Sequence, residues 1–349
     1  MTKILIKGNI AIAESAVIAG CRYYFGYPIT PQNEIPMYLS GRLPEAGGVF
    51  VQAESELAAI NMVFGAAATG ARVMTTTSSP GYSLMQEGIS YIAAAELPCV
   101  LANIMRGGPG LGNIAPAQAD YFQAVKGGGH GDYRLIVLAP QSVQETADLT
   151  MEAFNLADRY RNPVLLLLDG LLALMSEPVE LPKPDRIEKY PKEWALTGAK
   201  GRSRNVIRTL WLNPDDRVTK HNCHLLEKYD RIRNELIKYE TYKTEDADLI
   251  IVAYGTSARV SRTGIDLARQ AGIKAGLIRP VTLWPFPEKV IRDAAGPGKK
   301  FLSVEMSMGQ LVEDVRLAVN GKSEVHHFGI GGGWVPTEVE VFEKIKELV

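Results

Sequence analysis

The chain has 349 residues, of which 46% are hydrophobic and 22% are charged, a balance typical of a soluble globular protein with room for two ordinary domains. Its formal net charge of −1 gives no whole-chain attraction to nucleic acid or to an acidic membrane surface. Its three cysteines, Cys21, Cys99 and Cys223, form no CxxC pair, which argues against a disulfide framework and against an iron–sulfur cluster held by this chain alone. The N-terminus is too poor in apolar residues for a signal peptide and no 18-residue apolar run occurs, so we expect a cytoplasmic protein.

Apolar runs that predict strands alternate with helical patterns along residues 1–176. In chain order, the spacing predicts a strand over 3–7, a helix over 11–19, a strand over 48–53, a helix over 54–70, a strand over 73–77, a helix over 82–95, strands over 98–105 and 133–138, a helix over 143–160 and a strand over 163–169. Nearly continuous apolar strands that alternate with helices are typical of a parallel sheet covered on both faces. We therefore predict an α/β parallel-sheet domain over residues 1–176.

The composition changes beyond residue 176. Residues 177–246 are rich in proline and in charges of both signs, so we predict a connecting arm that carries one exposed helix over 224–240 and forms a solvated or subunit-contacting surface. A second α/β unit is predicted over residues 247–349. Its predicted elements are a strand over 249–254, a helix over 259–271, strands over 274–278 and 301–305, a helix over 310–319, a strand over 324–329 and a helix over 335–349.

Common motifs for dinucleotides and metals do not fit this sequence. The glycine-rich loop 107–113 is not a dinucleotide fingerprint, because G-x-G-x-x-G read from Gly108 ends at Asn113. The five histidines show no zinc-ligand spacing, and the adjacent His326 and His327 would point to opposite faces of a predicted strand. We predict no metal site held by this chain.

Two prolines bracket a single hydroxyl group in the loop over residues 26–33. Pro28 and Pro31 each fix their own φ, and Pro31 also pushes Thr30 towards an extended backbone. The loop should therefore be stiff and hold the Thr30 side chain in a narrow range of directions. Taken alone, the pattern fits equally well a tight turn that starts a helix at Gln32.

Further polar residues stand where predicted strands end. Glu54 and Glu56 lie where the second predicted strand meets its helix, and Arg106 ends the strand over 98–105. Ligands of parallel α/β sheets bind beyond the carboxyl ends of the strands, which makes these residues and Thr30 candidates for a site. Each also has an ordinary structural explanation, because acids in the first turn of a helix complement its dipole and a terminal arginine can form a surface ion pair.

Together, four segments resemble the α subunit of 2-oxoacid:ferredoxin oxidoreductases. They are Gly-Tyr-Pro-Ile-Thr-Pro (26–31), Gln-Ala-Glu-Ser-Glu-Leu-Ala-Ala-Ile (52–60), Thr-Ser-Ser-Pro-Gly-Tyr-Ser-Leu-Met-Gln-Glu (77–87) and Met-Arg-Gly-Gly-Pro-Gly (105–110). Two later segments, 278–287 and 305–311, resemble the transketolase C-terminal-like domain of that family. The resemblance covers nearly the whole chain, least clearly residues 177–246, and implies a pyrimidine-type thiamine diphosphate-binding domain before the second domain.

The resemblance also implies roles for individual residues. A family glutamate that hydrogen-bonds the aminopyrimidine ring of thiamine diphosphate corresponds to Glu56, with Glu54 as the alternative, and Gly81 falls in the cofactor-binding segment. A carboxyl group that shares a proton with the ring nitrogen favours the imino tautomer of the cofactor, which can then remove the thiazolium C2 proton. The family threonine that contacts the 2-oxoacid corresponds to Thr30. The arginine that pairs with the substrate carboxylate corresponds to Arg106, whose planar fork meets both oxygens at once.

The resemblance implies that this chain holds half of an active site and is inactive alone. In the family, a separate β subunit binds the diphosphate and its magnesium, and this chain lacks the Gly-Asp-Gly…Asn signature for them. Iron–sulfur clusters are likewise expected on other subunits, in agreement with the few cysteines here. The implied partners are β, γ and ferredoxin-like δ subunits, ferredoxin, a 2-oxoacid and coenzyme A.

The substrate is predicted less directly. Residues 105–118 and the glycine run at 126–130 are most similar to the branched-chain branch of the family, which oxidises 3-methyl-2-oxobutanoate. The alternative substrate 2-oxoglutarate needs a second cation, for which Lys126 could serve. Two other hypotheses remain: a non-catalytic docking subunit, suggested by the charged arm and the missing diphosphate site, and a non-redox, transketolase-like half protein.

Overall fold

A seven-stranded sheet forms the centre of the first half of the chain in this computed structural model, which describes residues 3–212 and 216–349. The strands of the first half are β1 (Ile4–Lys7), β2 (Tyr23–Gly26), β3 (Val49–Gln52), β4 (Val73–Thr77), β5 (Val100–Met105), β6 (Ile136–Leu138), β7 (Val164–Asp169) and β8 (Ser176–Val179). Six of its seven strands follow the order β6-β7-β5-β4-β2-β3, and all of these neighbours are parallel. The seventh strand comes from the second half of the chain and lies beside β6. Every residue of β4, β5, β6 and β7 is buried, as expected for inner strands with helices on both faces.

The connections between these strands are helical. The helices are α1 (Gly8–Ile18), α2 (Glu34–Glu45), α3 (Glu56–Ala68), α4 (Ser79–Ala94), α5 (Tyr121–Val125), α6 (Val143–Tyr160) and α7 (Gly170–Leu174). Serine side chains cap two of them: Ser55 accepts a hydrogen bond from the Ala58 amide at 3.2 Å, and Ser142 accepts one from the Glu145 amide at 3.1 Å. Such caps fix where each helix begins.

The structure differs from the sequence predictions at the N-terminus. Strand β2 was not predicted, although its Tyr-Tyr-Phe run favours a strand, because a four-residue element gives little periodicity. The predicted first strand exists as β1, but it pairs antiparallel with β8 in a separate two-stranded sheet. Strand β2 therefore leads directly into the loop that carries Thr30.

The second half builds a five-stranded sheet. Its elements are β9 (Tyr239–Tyr242), β10 (Leu249–Val252), α9 (Gly255–Gln270), β11 (Ala275–Pro280), α10 (Glu288–Ala294), β13 (Lys300–Val304), α11 (Leu311–Val319), β14 (Glu324–Phe328) and α12 (Glu338–Leu348). The order is β14-β13-β10-β11-β9, with β9 antiparallel at one edge. Strand β12 (Thr282–Trp284) instead joins the first sheet, antiparallel to β6.

The arm between the two sheets is less exposed than predicted. Its helix, α8, spans Arg217–Leu236 rather than 224–240, and its buried residues Leu225, Tyr229, Ile232 and Leu236 follow helical spacing. The prediction of an exposed helix was therefore wrong for this face. Strand β9 lies in the predicted arm but pairs with the second sheet, and β12 lies in the predicted second unit but pairs with the first sheet. The predicted divisions at 176/177 and 246/247 stay a prediction.

Buried hydrogen bonds join the two units at the carboxyl ends of their strands. The Gln118 amide donates to the Tyr254 carbonyl at 2.9 Å and accepts from the Ser257 hydroxyl at 2.8 Å. Asp169, at the end of β7, accepts from the Thr256 hydroxyl at 2.8 Å. Because these side chains are buried, their mutual satisfaction specifies how the units meet.

No helix among residues 3–212 and 216–349 is long and apolar enough to cross a membrane.

A buried lysine ties α8 to the first unit and leads to a testable pH dependence. Lys228 is 4% exposed at its side chain, and its ammonium lies 3.2 Å from Glu96. Burial lowers the pKa of Lys228 to about 8, although Glu96 opposes the shift. The folded chain thus binds this proton more weakly than the unfolded chain, whose lysine titrates near 10.5. Stability should rise as the pH goes from about 8 to 10.5, by at most about 1.4 kcal/mol per pH unit.

Lys228→Met should remove this rise. Urea unfolding of the chain at several pH values between 7 and 10.5, with and without the substitution, measures the difference. Equal slopes for the two proteins would contradict the prediction.

Candidate active site

The candidate residues meet at one edge of the large sheet. Strands β5, β4, β2 and β3 are successive neighbours and parallel, so their carboxyl ends lie side by side. The loop 27–33 follows β2, Glu56 follows β3, the first turn of α4 follows β4, and Arg106 follows β5. Four separate stretches of sequence are thus brought to one place, where ligands of such sheets bind.

The two glutamates at the start of α3 differ sharply in environment. Glu56 is the first residue of the helix and is 4% exposed, whereas Glu54 precedes the helix and is exposed. Within the described residues the Glu56 carboxyl group has no hydrogen-bond or ion-pair partner. The residue is buried, but its carboxyl oxygens are not sealed from solvent, so a ligand can reach the unpaired group.

Gly81 leaves room for this carboxyl group. A Cβ atom at Gly81 would overlap Glu56 Oε1 and Thr77 Oγ1, so only glycine lets the first turn of α4 approach both side chains. The Thr77 hydroxyl is also buried and without a hydrogen-bond partner among the described residues. The Glu56 carboxyl group therefore lies against the first turn of α4, and the Thr77 hydroxyl beside it is sealed from solvent.

Gly81→Ala should test this packing. The added methyl group would displace Glu56, so we expect thiamine diphosphate to bind at least about tenfold more weakly to the assembled enzyme, measured by titration calorimetry. The control is Gly65→Ala in α3, where nothing lies within 4 Å of the new Cβ and alanine favours the helix by about 0.5–1 kcal/mol. Unchanged affinity in Gly81→Ala would contradict the placement of the ring.

The structure brings Thr30 and Arg106 into direct contact. The Arg106 guanidinium donates one hydrogen bond to the Thr30 carbonyl and one to the Leu111 carbonyl, both at 3.0 Å. Arg106 is 7% exposed, and its Nε has no partner among the described residues. The guanidinium has five N–H donors, so several remain for a ligand carboxylate. A buried arginine aimed at this edge is not the surface ion pair that the sequence also allowed.

Side-chain hydrogen bonds, in addition to the two prolines, fix the shape of the loop that carries Thr30. The Gln32 amide donates to the Tyr27 carbonyl at 3.1 Å and accepts from the Thr76 hydroxyl at 2.6 Å. Asn33 donates to the Thr30 hydroxyl oxygen at 3.2 Å, which leaves the hydroxyl proton of Thr30 available for a ligand. The prediction that the loop presents this hydroxyl is consistent with this geometry.

A polar network behind Arg106 escaped the sequence analysis. The Asp120 carboxylate accepts hydrogen bonds from the Ser79 hydroxyl at 2.6 Å and from the Asn103 amide at 2.9 Å. The Ser79 oxygen in turn accepts from the Arg106 backbone amide at 3.0 Å. Burial raises the pKa of Asp120, and the hydrogen bonds and the charge of Arg106 oppose that shift. A serine within a Ser-Ser-Pro-Gly motif was the only signal for this network in the sequence.

Lys126, the candidate for a second cation that binds the substrate, forms an ion pair away from Thr30 and Arg106. Its ammonium forms an ion pair with Asp314, and it lines a cavity of about 570 Å³ together with Arg134 and Trp284. Neither Thr30 nor Arg106 lines that cavity. In the described parts of the chain, no group of three or more His, Cys, Asp or Glu side chains is placed to hold a metal ion.

A parallel α/β sheet followed by a second α/β unit is an architecture with solved members. A solved structure of that architecture, an inactive tetramer of a split-gene transketolase, matches this chain with a TM-score of 0.60 and 13% identity, covering 98% of this chain and 97% of the other. This match concerns the fold alone, and it confirms the predicted fold class.

Two sequence models of protein families match this chain and identify its family. The model described as pyruvate flavodoxin/ferredoxin oxidoreductase, thiamine diphosphate-binding, matches residues 14–248, and the model for core domain II of pyruvate:ferredoxin oxidoreductase matches residues 247–341. The chain therefore belongs to the pyruvate flavodoxin/ferredoxin oxidoreductase family and is a subunit of a 2-oxoacid:ferredoxin oxidoreductase. The predicted family is confirmed.

Individual relatives show which members of the family this chain resembles in sequence and structure. Ketoisovalerate oxidoreductase subunit VorB of Methanothermobacter thermautotrophicus is 52% identical over 345 residues, covering 99% of this chain and 97% of that relative. The 2-oxoglutarate synthase subunit KorA of Methanothermobacter marburgensis is 37% identical over 369 residues, covering 97% of each. A solved 2-oxoglutarate:ferredoxin oxidoreductase from Magnetococcus marinus, with 2-oxoglutarate, coenzyme A and succinyl-CoA bound, has a TM-score of 0.87 and 28% identity. This chain is covered to 99% and spans 65% of that larger chain.

Proposed function

We propose that this chain is the α subunit of a 3-methyl-2-oxobutanoate (ketoisovalerate):ferredoxin oxidoreductase. The reaction converts the 2-oxoacid and coenzyme A into an acyl-CoA and carbon dioxide, and both electrons pass to ferredoxin. The observation that carries the proposal is that Glu56, a buried residue whose carboxyl group has no partner within the described residues, lies on the same sheet edge as the contact between Thr30 and Arg106.

Thiamine diphosphate, when bound, supplies the electron sink that lets a 2-oxoacid lose carbon dioxide. Glu56 would hold the aminopyrimidine ring and share a proton with the ring nitrogen. Arg106 would pair with the substrate carboxylate through donors that Thr30 and Leu111 leave free. The Thr30 hydroxyl would donate to the 2-oxoacid, and Asn33 orients it for that task.

A partner subunit would complete the site. The relatives are themselves named as subunits, and the family resemblance implies that another chain binds the diphosphate and its magnesium. Four apolar side chains stand exposed on the loops next to Arg106 and on neighbouring loops of the second unit: Leu111, Ile114, Met308 and Ile330. An exposed apolar rim around half of a site is typical of a surface that another chain covers.

The branched-chain substrate is supported by two observations. Identity is 52% to the ketoisovalerate subunit but 37% to the 2-oxoglutarate subunit, at similar coverage. The side-chain carboxylate of 2-oxoglutarate needs a second cation, and Lys126 is occupied by Asp314 outside the Arg106 site. An apolar side chain needs no such cation.

Co-expression with the partner subunits and assays of ferredoxin reduction test the proposal. We expect kcat/KM for 3-methyl-2-oxobutanoate to exceed the values for pyruvate and 2-oxoglutarate by about 10-fold or more, since differences of one or two carbon groups in an apolar pocket discriminate by about 10–200-fold. A preference for 2-oxoglutarate would contradict the substrate. Turnover without any electron acceptor would instead favour the non-redox, transketolase-like alternative.

A further inference from the structure

The second unit of the chain touches the loop that follows Arg106. The Asn113 amide nitrogen donates a hydrogen bond to the Gly332 carbonyl at 2.9 Å, across 219 residues of sequence. The neighbouring Gly333 has a φ of +110° and lies so close that a Cβ on it would come within 2.5 Å of the Ala115 Cβ. The glycine-rich turn over residues 329–333 therefore packs directly against the loop over residues 107–115.

Inside that loop, Asn113 makes the central contacts. Its side-chain oxygen accepts from the Ala115 amide at 3.0 Å, and its backbone amide donates to the Gly107 carbonyl at 2.9 Å. The loop contains four glycines, two of which have positive φ, Gly110 and Gly112. Glycines lose the most conformational freedom on ordering, so a loop of this composition depends on such contacts for a defined shape.

The same loop holds the guanidinium of Arg106. Leu111 accepts the hydrogen bond from Arg106 Nη2 at 3.0 Å, and Arg106 itself forms a β-bridge with Pro116 at the other end of the loop. The Leu111 side chain is 77% exposed beside this contact. A shift of the loop would therefore move both the guanidinium and the apolar side chain next to it.

We propose that Asn113 is a positioning residue through which the second unit of the chain fixes Arg106 and Leu111 for binding of the 2-oxoacid. The inference rests on the proposed function, in which Arg106 pairs with the substrate carboxylate. Asparagine suits the role because one side chain donates to Gly332 and accepts from Ala115 at the same time. A carboxylate in its place would only accept and would face the Gly332 carbonyl unfavourably.

The difference between two substitutions isolates the contact between the units. Asn113→Asp keeps the acceptor for Ala115 but loses the donor to Gly332, whereas Asn113→Ala loses both. Asn234→Asp, an exposed residue of α8, makes the same chemical change away from the site. All are compared with the wild type as complete complexes with their partner subunits.

We expect Asn113→Asp to raise the KM for the 2-oxoacid about 3–10-fold, the effect of one lost hydrogen bond, and Asn113→Ala, which loses two, to raise it at least as much. The kcat and the KM for coenzyme A should change less than about twofold, a split that general destabilisation would not produce. Hydrogen exchange of the loop 107–115 without substrate should also become faster in both variants and stay unchanged in Asn234→Asp.

Two results would overturn the proposal. Wild-type KM and wild-type exchange in Asn113→Asp would show that the contact with Gly332 does not position the loop, whether or not Asn113→Ala is affected. An equal fall in kcat for all substrates would indicate a merely structural role. Failure of the proposed function itself would be seen separately, as absent 2-oxoacid turnover in the wild-type complex.

Discussion

Replacing Glu56 by glutamine should lower kcat of the assembled enzyme by about a hundredfold or more while the subunits still assemble. Glutamine keeps the size of the buried side chain and can still donate a hydrogen bond to a ring nitrogen, but it has no carboxyl proton to share. General acid–base groups contribute about 10²–10⁴-fold to the rate, and a carboxyl group that shares a proton with the ring acts in this way. Size-exclusion chromatography and ferredoxin reduction with saturating 3-methyl-2-oxobutanoate measure assembly and turnover.

The neighbouring glutamate offers a matched control. Glu54→Gln makes the same change two residues earlier, at an exposed position before α3, and should leave kcat within about twofold of the wild type. Wild-type turnover in Glu56→Gln would favour the hypothesis of a non-catalytic docking subunit. A large loss in Glu54→Gln with none in Glu56→Gln would instead transfer the cofactor contact to Glu54.

Replacing Arg106 by leucine should lower kcat/KM for the 2-oxoacid by about 30-fold to several thousand-fold. Loss of one partner of a buried charged hydrogen-bond pair costs about 2–5 kcal/mol. Part of the effect would come through the loop, because the guanidinium also holds the Thr30 and Leu111 carbonyls. Steady-state kinetics with varied 2-oxoacid measure the loss.

Two further variants separate charge from geometry. Arg106→Lys keeps the charge but not the planar fork and should fall between leucine and the wild type. Arg292→Leu removes an exposed arginine of α10 whose ion pair, within the part of the chain that the structure describes, is with Glu288 one turn away, and it should change kcat/KM less than about twofold. A specificity constant in Arg106→Leu equal to that of the wild type would show that Arg106 does not meet the substrate.

The sequence predicted the sheet well where strands are long and apolar. Strand β4 and helix α6 begin and end at the predicted residues, because a fully buried strand and an 18-residue amphipathic helix leave strong patterns. Strand β2 has four residues and was not predicted, so no strand was expected directly before the loop that carries Thr30. The prediction that the helix in the arm is exposed was wrong. Charged residues separate its apolar positions in the sequence, so the buried apolar face of α8 was not recognised.

The site residues could be named from the sequence, but their contacts could not. Glu56 and Arg106 stand at strand ends, which local patterns reveal. The hydrogen bond between Arg106 and Thr30 joins residues 76 positions apart, and that between Asn113 and Gly332 joins residues 219 apart. Contacts of this kind depend on the order of strands and on how two units meet, which no local spacing encodes. The structure also distinguishes Glu56 from Glu54 by burial, where the sequence left both open.

The most direct test of the half-site is an experimental structure of the assembled enzyme with thiamine diphosphate bound. We expect a Glu56 carboxyl oxygen within hydrogen-bond distance, about 2.6–3.2 Å, of the aminopyrimidine ring nitrogen. Arg106 should face the substrate, and the diphosphate should be bound by the partner subunit. A ring bound away from Glu56 and Gly81, or a diphosphate held by this chain, would contradict this expectation.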